Sequence, residues 1–238
     1  MSAVPPAGAV RVAPDRVAGV GPGIFISIEG GDGVGKSTQA RLLGAWLGEV
    51  TGRDVVLTRE PGGTALGQVL RDAVLHGDHV DARAEALMYA ADRAHHVATL
   101  VRPALERGAV VVTDRYLDSS VAYQGGGREL AADDVERISL WATRGLLPDV
   151  TVLLDADPAV AASRRASVAH KGALDRLESV GAEFATRVRE TFLDRAAAEP
   201  DRWVVVDATA GVDDVQAQVR VDVAARLGLG ASPQEVEA

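Results

Sequence analysis

The chain has 238 residues, of which 47% are hydrophobic and 25% are charged, and its formal net charge is −9. This is the composition of a globular protein of one or two domains. The chain has no cysteine, which excludes a disulfide scaffold, a thiolate zinc site and a cysteine nucleophile, and its negative charge argues against a protein that coats nucleic acid or an anionic membrane.

Residues 1–22 form a stretch rich in Ala, Val, Gly and Pro. Prolines and charges interrupt it where a secretory signal needs an unbroken apolar segment. We therefore expect a disordered extension at 1–22 on a cytoplasmic protein, one domain at 23–227 and a flexible acidic tail at 228–238. The sequence also lacks the roughly 18 consecutive apolar residues that a membrane span needs.

Short runs of β-branched residues predict strands along the whole domain. Each run is apolar at both odd and even positions, as in strands buried on both faces of a parallel sheet. The runs lie at 24–28, 54–58, 109–113, 150–154 and 203–206.

Helical patterns separate these runs. After the first strand, one helical face is formed by Leu42, Leu43, Trp46, Leu47 and Val50. Alternating strands and helices predict an α/β fold, a five-stranded parallel sheet with helices on both faces. Further helices are predicted at 82–107, 131–144, 158–169 and 182–198.

A glycine-rich segment directly after the first strand carries the strongest chemical signal. Residues 30–37 fit the phosphate-binding pattern G-x-x-x-x-G-K-[ST], in which backbone N–H groups surround phosphate oxygens. Lys36 can reach the β- and γ-phosphates, and the Ser37 hydroxyl can ligate Mg²⁺. A glycine-rich turn without a ligand is the alternative, which the strand–loop–helix context disfavours. The predicted nucleotide-binding residues are Gly30, Gly31, Asp32, Gly33, Val34, Gly35, Lys36, Ser37 and Thr38.

Guanine-specific proteins with this loop usually carry a late N-K-x-D segment, and the chain has none. A large ATPase motor would need more chain. The sequence therefore indicates a small kinase with the P-loop NTPase fold.

Asp114 and Arg115 end the third predicted strand, at the sheet edge where ligands of α/β proteins bind. An arginine there can clamp a phosphate between donor and acceptor, and a carboxylate can support Mg²⁺ or its waters. An exposed ion pair is the alternative. Arg71 follows a Pro-Gly-Gly turn on a predicted helix, and taken alone its position indicates a charged side chain exposed to solvent.

Five segments, in order over about residues 23–207, resemble the thymidylate kinases. The resemblance implies a homodimer that uses Mg·ATP and transfers the ATP γ-phosphoryl group to dTMP, giving dTDP and ADP. The segments are residues 25–39, 58–64, 86–93, 114–124 and 174–178.

The resemblance assigns residues to parts of dTMP. Arg115 and Arg71 would clamp its phosphate, and Tyr89, where many members have Phe, would stack on thymine. Arg93 shares a helix face with Tyr89 and would bond a thymine carbonyl. Tyr123 would lie beside the sugar and favour deoxyribose. From spacing alone, a core aromatic would be the better interpretation of Tyr89.

Other positions complete the predicted substrate site. Ser120 and Gln124 match residues that line the thymine site, and Ser119 and Ser120 could also cap a helix, which is compatible with that role. Glu60 and Pro61 would hold a turn under the substrate, and a cis bond at Pro61 is an option that the sequence leaves open.

A basic segment at about 163–176 resembles the family's lid. By that resemblance Lys171, where many members have Arg, would be the lid's catalytic cation, and Arg164 would pack on adenine. Asp32 would approach the sugar 3′-hydroxyl and help to organise Mg²⁺. The predicted catalytic residues are thus Lys36, Arg115, Lys171 and Asp32. A basic helix face that is merely solvated is the alternative for the lid.

Two other functions remain open at this point. The chain could be another nucleoside-monophosphate or deoxynucleoside kinase, or a nucleotide-dependent binding protein without catalysis. Acceptor-side residues such as Arg93, Arg115 and Gln124 argue against a mere ATP switch. We expect ATP and dTMP as partners and neither nucleic acid nor a membrane.

Overall fold

The computed structural model describes residues 23–126, 130–168 and 181–229, which contain a sheet of five parallel strands. The strand order is β2-β3-β1-β4-β5, with β1 in the centre. All five predicted strands are confirmed with ends shifted by at most one residue. Their bounds are β1 (Ile24–Glu29), β2 (Val55–Arg59), β3 (Val110–Asp114), β4 (Val150–Asp155) and β5 (Trp203–Asp207).

The expectation that every strand is buried on both faces holds for β1, β3 and β4 but is wrong for the other two. Leu57 in β2 is 49% exposed and Val205 in β5 is 48% exposed. Both strands are edges of the sheet, with one neighbouring strand each, so part of their apolar surface stays uncovered.

Helices connect the strands and cover both faces of the sheet. The predicted helix at 82–107 is one continuous run with a π-helical turn, Val97–Val101, placed just before Pro103, which has no N–H to donate. The helices are α1 (Lys36–Thr51), α2 (Ala65–His76), α3 (Ala82–His96), α4 (Arg102–Glu106), α5 (Leu117–Ser120), α6 (Ala132–Thr143), α7 (Pro158–Val168), α8 (Ala182–Ala198) and α9 (Val212–Leu227), and a second π-helical turn spans Val121–Gly126.

Helix α9 was not predicted, because its valine-rich sequence resembles a strand. Val215, Val219 and Val223 are buried and recur every four residues, which is the helical signal that the sequence carries. In α1 the buried face includes Leu43 and Leu47 as predicted, but Val50 is 51% exposed.

Alternate residues of β1 enter different core layers. Ile26 packs with Leu43 of α1 and Val219 of α9, whereas Phe25 packs with Val101 and Val111 on the opposite face. This alternation fixes the strand register, so the segments that leave β1, β3 and β4 emerge at one edge of the sheet.

None of the helices formed by the described residues is long and apolar enough to cross a membrane. The predicted extension at 1–22 lies outside the described residues, as do residues 230–238 of the predicted tail and 169–176 of the predicted lid. Leu229 is described: its N–H donates to the Ala224 carbonyl at 2.9 Å, and its side chain packs on the core.

Candidate functional site

The loop between β1 and α1 has a backbone that requires glycine. Gly30 has a φ of 135°, and a Cβ there would lie 2.5 Å from the Leu154 carbonyl oxygen. Gly35, with a φ of 99°, is the N-cap residue of α1. The described first turn of α1 carries no acidic side chain. The positive end of the helix therefore faces the loop and suits a phosphate.

Lys36 and Asp32 form the charged interior of this loop. Lys36 is buried, and its Nζ donates to the Gly31 carbonyl oxygen at 2.6 Å. Burial and the charge of Arg115 lower the pKa of Lys36 to about 8. Burial also opposes the ionisation of Asp32, but Arg115 and Lys36 outweigh it and lower the pKa of Asp32 to about 2. The loop thus holds its lysine proton weakly beside a carboxylate that stays ionised.

Arg115 leaves β3 in an unusual backbone conformation. Its φ is 71°, a left-handed value that is rare outside glycine. Its N–H donates to the Ile28 carbonyl at 3.0 Å, and its own carbonyl accepts from Thr113 Oγ1 at 2.9 Å. Surrounding hydrogen bonds therefore maintain a strained residue, a pattern that is common at functional sites.

The guanidinium of Arg115 links the phosphate loop to the neighbouring cavity. Nη1 donates to the Gly30 carbonyl at 3.1 Å and to Ser119 Oγ at 3.0 Å. Nη2 donates to Asp32 and, at 3.0 Å, to Tyr123 Oη, which itself donates to Asp32 at 3.0 Å. A positive charge is thus held where the two regions meet.

A cavity of about 530 Å³ opens beside this arginine. The structure brings all the predicted substrate-binding residues into its lining, together with Leu75 and Tyr116. Those residues are Asp32, Glu60, Pro61, Arg71, Tyr89, Arg93, Arg115, Ser119, Ser120, Tyr123 and Gln124.

A buried polar network supports one wall of this cavity. Arg93 donates from Nε to Glu60 Oε2 at 2.8 Å, from Nη2 to Ser120 Oγ at 2.8 Å and from Nη1 to Ser139 Oγ at 3.0 Å. His96 Nδ1 lies 2.8 Å from the other Glu60 oxygen. Glu60 therefore orients Arg93 as well as lining the cavity, a contact that sequence reasoning missed.

The serines of α5 serve the network rather than a helix cap. Tyr116 is the N-cap residue of α5, and Ser119 and Ser120 lie inside the helix. Their hydroxyl oxygens accept from Arg115 and Arg93. The predicted N-cap role is therefore wrong for both serines.

The far end of the cavity is more apolar. Tyr89 packs with Val74 and Leu75, and Gln124 donates from Nε2 to buried Glu85 Oε1 at 3.0 Å. Nearer the loop, Arg71 Nη1 donates to the Pro61 carbonyl at 3.1 Å. The Glu60–Pro61 peptide bond is cis. A planar base bound at this end would contact one aromatic face and several polar groups.

Ser37 and Asp114 lie together at the mouth of the phosphate loop. Ser37 Oγ donates to Asp114 Oδ2 at 2.5 Å. A hydroxyl and a carboxylate are the hard oxygen ligands that fit Mg²⁺, which usually completes its coordination with phosphate oxygens and water. Within the described ranges, no cluster of three or more His, Cys, Asp or Glu offers a complete protein cage. The donor set therefore fits an ion that arrives with a nucleotide.

A second cavity of about 600 Å³ was not foreseen from the sequence. It lies between the loop, the end of β4 and the faces of α7 and α8, and it shares Asp32 and Tyr123 with the first cavity. Arg189 closes one side through paired bonds to Asp155 at 2.7 and 2.8 Å. This second cavity places an apolar space beside the phosphate loop.

One predicted residue, Arg164, lies apart from these cavities, and another falls in a part of the chain that the structure does not describe. Arg164 donates to the carbonyls of Ala208, Thr209 and Ala210, which places its planar group on the turn after β5. Lys171 lies outside the described residues.

Glu29, at the end of β1, was not singled out from the sequence, although a lone acid in an apolar strand is a usable signal. It is fully buried and accepts from the Tyr116 N–H at 2.8 Å and from Ser119 Oγ at 2.5 Å. Burial, together with the negative charge of Asp118, raises the pKa of Glu29 from 4.5 to about 7.

This shift makes stability depend on pH. Between about pH 4.5 and 7 the folded chain holds a proton on Glu29 that the unfolded chain has lost, so stability falls as pH rises through this range. Glu29→Gln should flatten the dependence and gain stability over the wild type at pH 8. Urea unfolding at pH 5, 6, 7 and 8 measures this.

Glu49→Gln, at an exposed position on α1, is the matched control and should keep the wild-type dependence. Burial and the charge of Glu60 raise the pKa of Asp92 to about 6, so Asp92 also lowers stability as pH rises, but over a lower pH range. This contribution of Asp92 should persist in both variants. Equal slopes for Glu29→Gln and the wild type above pH 6 would contradict the assignment.

Comparison with known proteins finds similar sequences and a similar structure over most of the chain. A family model described as thymidylate kinase matches residues 28–219. The thymidylate kinase of Clavibacter michiganensis is 58% identical over 211 residues, 88% of this chain and 99% of its own length, and that of Bifidobacterium longum (strain DJO10A) is 55% identical over 206 residues, 84% and 97% of the two chains. A crystal structure of thymidylate kinase from Ehrlichia chaffeensis superposes with a TM-score of 0.70 at 31% identity, over 85% of this chain and 100% of that one.

Proposed function

The chain belongs to the thymidylate kinase family, and from this premise we propose how its own residues carry out the reaction. The enzyme transfers the γ-phosphoryl group of ATP to dTMP, giving dTDP and ADP. One observation carries the assignment of the site: the Arg115 guanidinium bonds both the phosphate loop and the wall of the adjoining cavity. That position is where donor and acceptor phosphates would meet.

We place the triphosphate of ATP on residues 30–38. The loop N–H groups and the N-terminus of α1 would bind its oxygens, and Lys36 would leave the Gly31 carbonyl to neutralise the β- and γ-phosphates. Arg164, held on the turn after β5, would lie against adenine.

Ser37 and Asp114 would hold Mg²⁺ directly or through water. When bound, the ion supplies positive charge to the phosphate oxygens of the nucleotide. The ionised Asp32 carboxylate would orient Arg115 and face the sugar of dTMP.

We place dTMP in the 530 Å³ cavity. Arg115 and Arg71 would bind its phosphate, and Tyr89 would stack on thymine. Arg93 and Gln124 would meet the polar edge of the base. Ser119, Ser120, Glu60 and Pro61 would support these groups, and Tyr123 would lie beside C2′.

The chemical step needs alignment more than proton transfer. A phosphate oxygen of dTMP attacks the γ-phosphorus, a new P–O bond forms, and the bond to the bridging oxygen of ADP breaks. The phosphate acceptor is already ionised near neutral pH, so no general base is required. Positioning and the stabilisation of charge by Lys36, Arg115 and, by family resemblance, Lys171 account for catalysis.

Coupled ADP release with a panel of acceptors tests this function. We expect dTMP to be preferred over dUMP, dCMP, AMP, GMP and thymidine, because the cavity pairs phosphate-binding cations with a base pocket. A preference for thymidine over dTMP would show that the phosphate site has been placed wrongly.

A homodimer is part of the proposal, and exposed apolar side chains support it. Helix α3 packs against both α2 and α6. On these helices Val69 is 65% exposed and Trp141 is 82% exposed, with Leu66 and Leu87 also exposed. Large exposed apolar side chains on neighbouring helices are typical of a protein–protein interface. We also propose that the enzyme works in the cytoplasm, where its nucleotide substrates are found.

Trp141→Glu should convert a dimer to a monomer, because a charge would be buried where apolar area was covered. Light scattering after size-exclusion chromatography should give twice the 24.8 kDa chain mass for the wild type and the single mass for the variant. Val221→Glu, at an exposed position on α9, should remain dimeric. A dimeric Trp141→Glu variant would place the interface elsewhere.

A further inference from the structure

Asp118 is a fully buried carboxylate in α5 that sequence analysis did not assign to the site. Its Oδ1 accepts from Arg195 Nε at 2.7 Å, and its Oδ2 accepts from Arg202 Nη1 at 2.6 Å. Two guanidinium groups from a distant part of the chain therefore hold one short helix by a single side chain. A charge removed from water to this extent is maintained only by such partners.

The two residues after Asp118 carry the partners of the main cations in the dTMP cavity. Ser119 Oγ accepts from Arg115 Nη1 at 3.0 Å, and Ser120 Oγ accepts from Arg93 Nη2 at 2.8 Å. A movement of α5 would therefore displace partners of both arginines together.

Arg195 and Arg202 differ in what else they hold. Arg195, on α8, also donates to Glu136 of α6 at 2.9 Å, so it ties α5 to two helices. Arg202 also bonds Glu199 and Thr151, so it anchors the start of β5 against β4. Loss of Arg202 would disturb the sheet itself, whereas loss of Arg195 would act mainly on α5.

We propose that Arg195 is a positioning residue for dTMP: through Asp118 it fixes α5 so that Ser119 and Ser120 hold Arg115 and Arg93 in place. The inference rests on the function proposed above. Without Arg195 the Asp118 carboxylate keeps Arg202 as its remaining charged partner among the described residues, and α5 is free to shift toward it. Binding of dTMP should weaken, while the ATP side of the phosphate loop, which α5 does not form, should keep its affinity.

Steady-state kinetics of the full chain provides the test. Arg195→Ala should raise the KM for dTMP roughly tenfold, within the range reached by residues that act through a neighbour, and leave the KM for ATP unchanged. Arg195→Lys keeps the charge and should recover part of the loss. Arg226→Ala is the matched control, because Arg226 bonds the carbonyls of Pro200 and Trp203 without touching Asp118.

Thermal unfolding of each variant separates positioning from stability. Arg226→Ala should lose stability with no change in either KM. If Arg195→Ala fails to fold, Asp118→Asn takes its place, because it keeps the side-chain shape, and it should likewise raise the KM for dTMP. Titration with dTMP and with thymidine should show weaker binding of both, because both Arg115 and Arg93 lose support.

The inference is overturned if Arg195→Ala, or Asp118→Asn in its place, is destabilised without a rise in the KM for dTMP. It is also overturned if the KM values for dTMP and ATP rise together. If the wild-type chain phosphorylates dTMP, either of these two results overturns the role of Arg195 and leaves the proposed function intact. A wild-type chain inactive on dTMP would instead refute that function.

Discussion

Replacing Arg115 with alanine is expected to lower kcat by roughly 10³- to 10⁵-fold, the range measured for arginines that stabilise a transferring phosphoryl group. Arg115 bonds the Gly30 carbonyl on one side and Ser119 on the other, so its charge lies between the two proposed substrate sites. In the transition state, negative charge spreads over the transferring group, and a preorganised cation there stabilises it more than the ground state.

The accompanying effects distinguish catalysis from a general disturbance. Arg115→Lys keeps the charge but loses the planar fork that reaches Gly30, Ser119 and Asp32 together, so it should recover only a small part of kcat. Arg102→Ala is the control, because Arg102 bonds the carbonyls of Thr143 and Arg144 away from both cavities.

Rapid-quench measurement of a single turnover, with saturating ATP and dTMP, follows the chemical step itself. A folded Arg115→Ala variant with near-normal single-turnover rate would remove Arg115 from the transition state. A loss that appears only as weaker dTMP binding would leave it as a binding residue.

The sheet could be predicted from the sequence because strand formation here depends on local pattern. Runs such as Val-Val-Val-Thr at 110–113 are β-branched throughout and carry their own signal. Helix α9 was missed because its valines favour strands by local propensity, although Val215 and Val219 recur at a helical spacing and pack in the core. The partial exposure of β2 and β5 depends on strand order, which is likewise a property of the whole fold.

The cavity lining could be predicted because several short segments of this chain resemble one family in order. The residues that support the lining could not, since their roles arise from contacts between distant segments. Asp118 meets Arg195 across 77 positions, and Glu29 meets Ser119 across 90. The left-handed conformation of Arg115 has no signal of its own, because such backbone angles are expected at glycine.

Replacing Lys36 with methionine should lower kcat by roughly 10²- to 10³-fold, the loss expected when one preorganised group is removed from a transition state, and should also raise the KM for ATP. Binding of thymidine should persist, because Lys36 does not line the cavity proposed for dTMP. Equilibrium titration with thymidine serves as the check that the variant is folded. A variant that loses ATP and thymidine affinity together would indicate collapse of the loop rather than loss of a phosphate contact.

The pKa of Lys36 gives this prediction a second, independent measurement. Burial and Arg115 lower that pKa to about 8, so in the free enzyme the ammonium group should lose its proton as pH rises through that value. A neutral amine cannot neutralise the charge of the triphosphate, so kcat/KM for ATP should fall above about pH 8. Bound phosphates favour the charged form, which should move the fall in kcat to higher pH.

The chain makes this pKa directly observable, because its sequence contains two lysines, Lys36 and Lys171. With ¹³C-labelled lysine, the side-chain spectrum should show two lysine spin systems, and the one absent from Lys36→Met belongs to Lys36. Its titration midpoint should lie near 8 without ligand and rise on addition of a non-hydrolysable ATP analogue. A midpoint near the ordinary lysine value of about 10.4 in the free enzyme would mean that the loop does not bury this charge, and the fall in kcat/KM would then need another group.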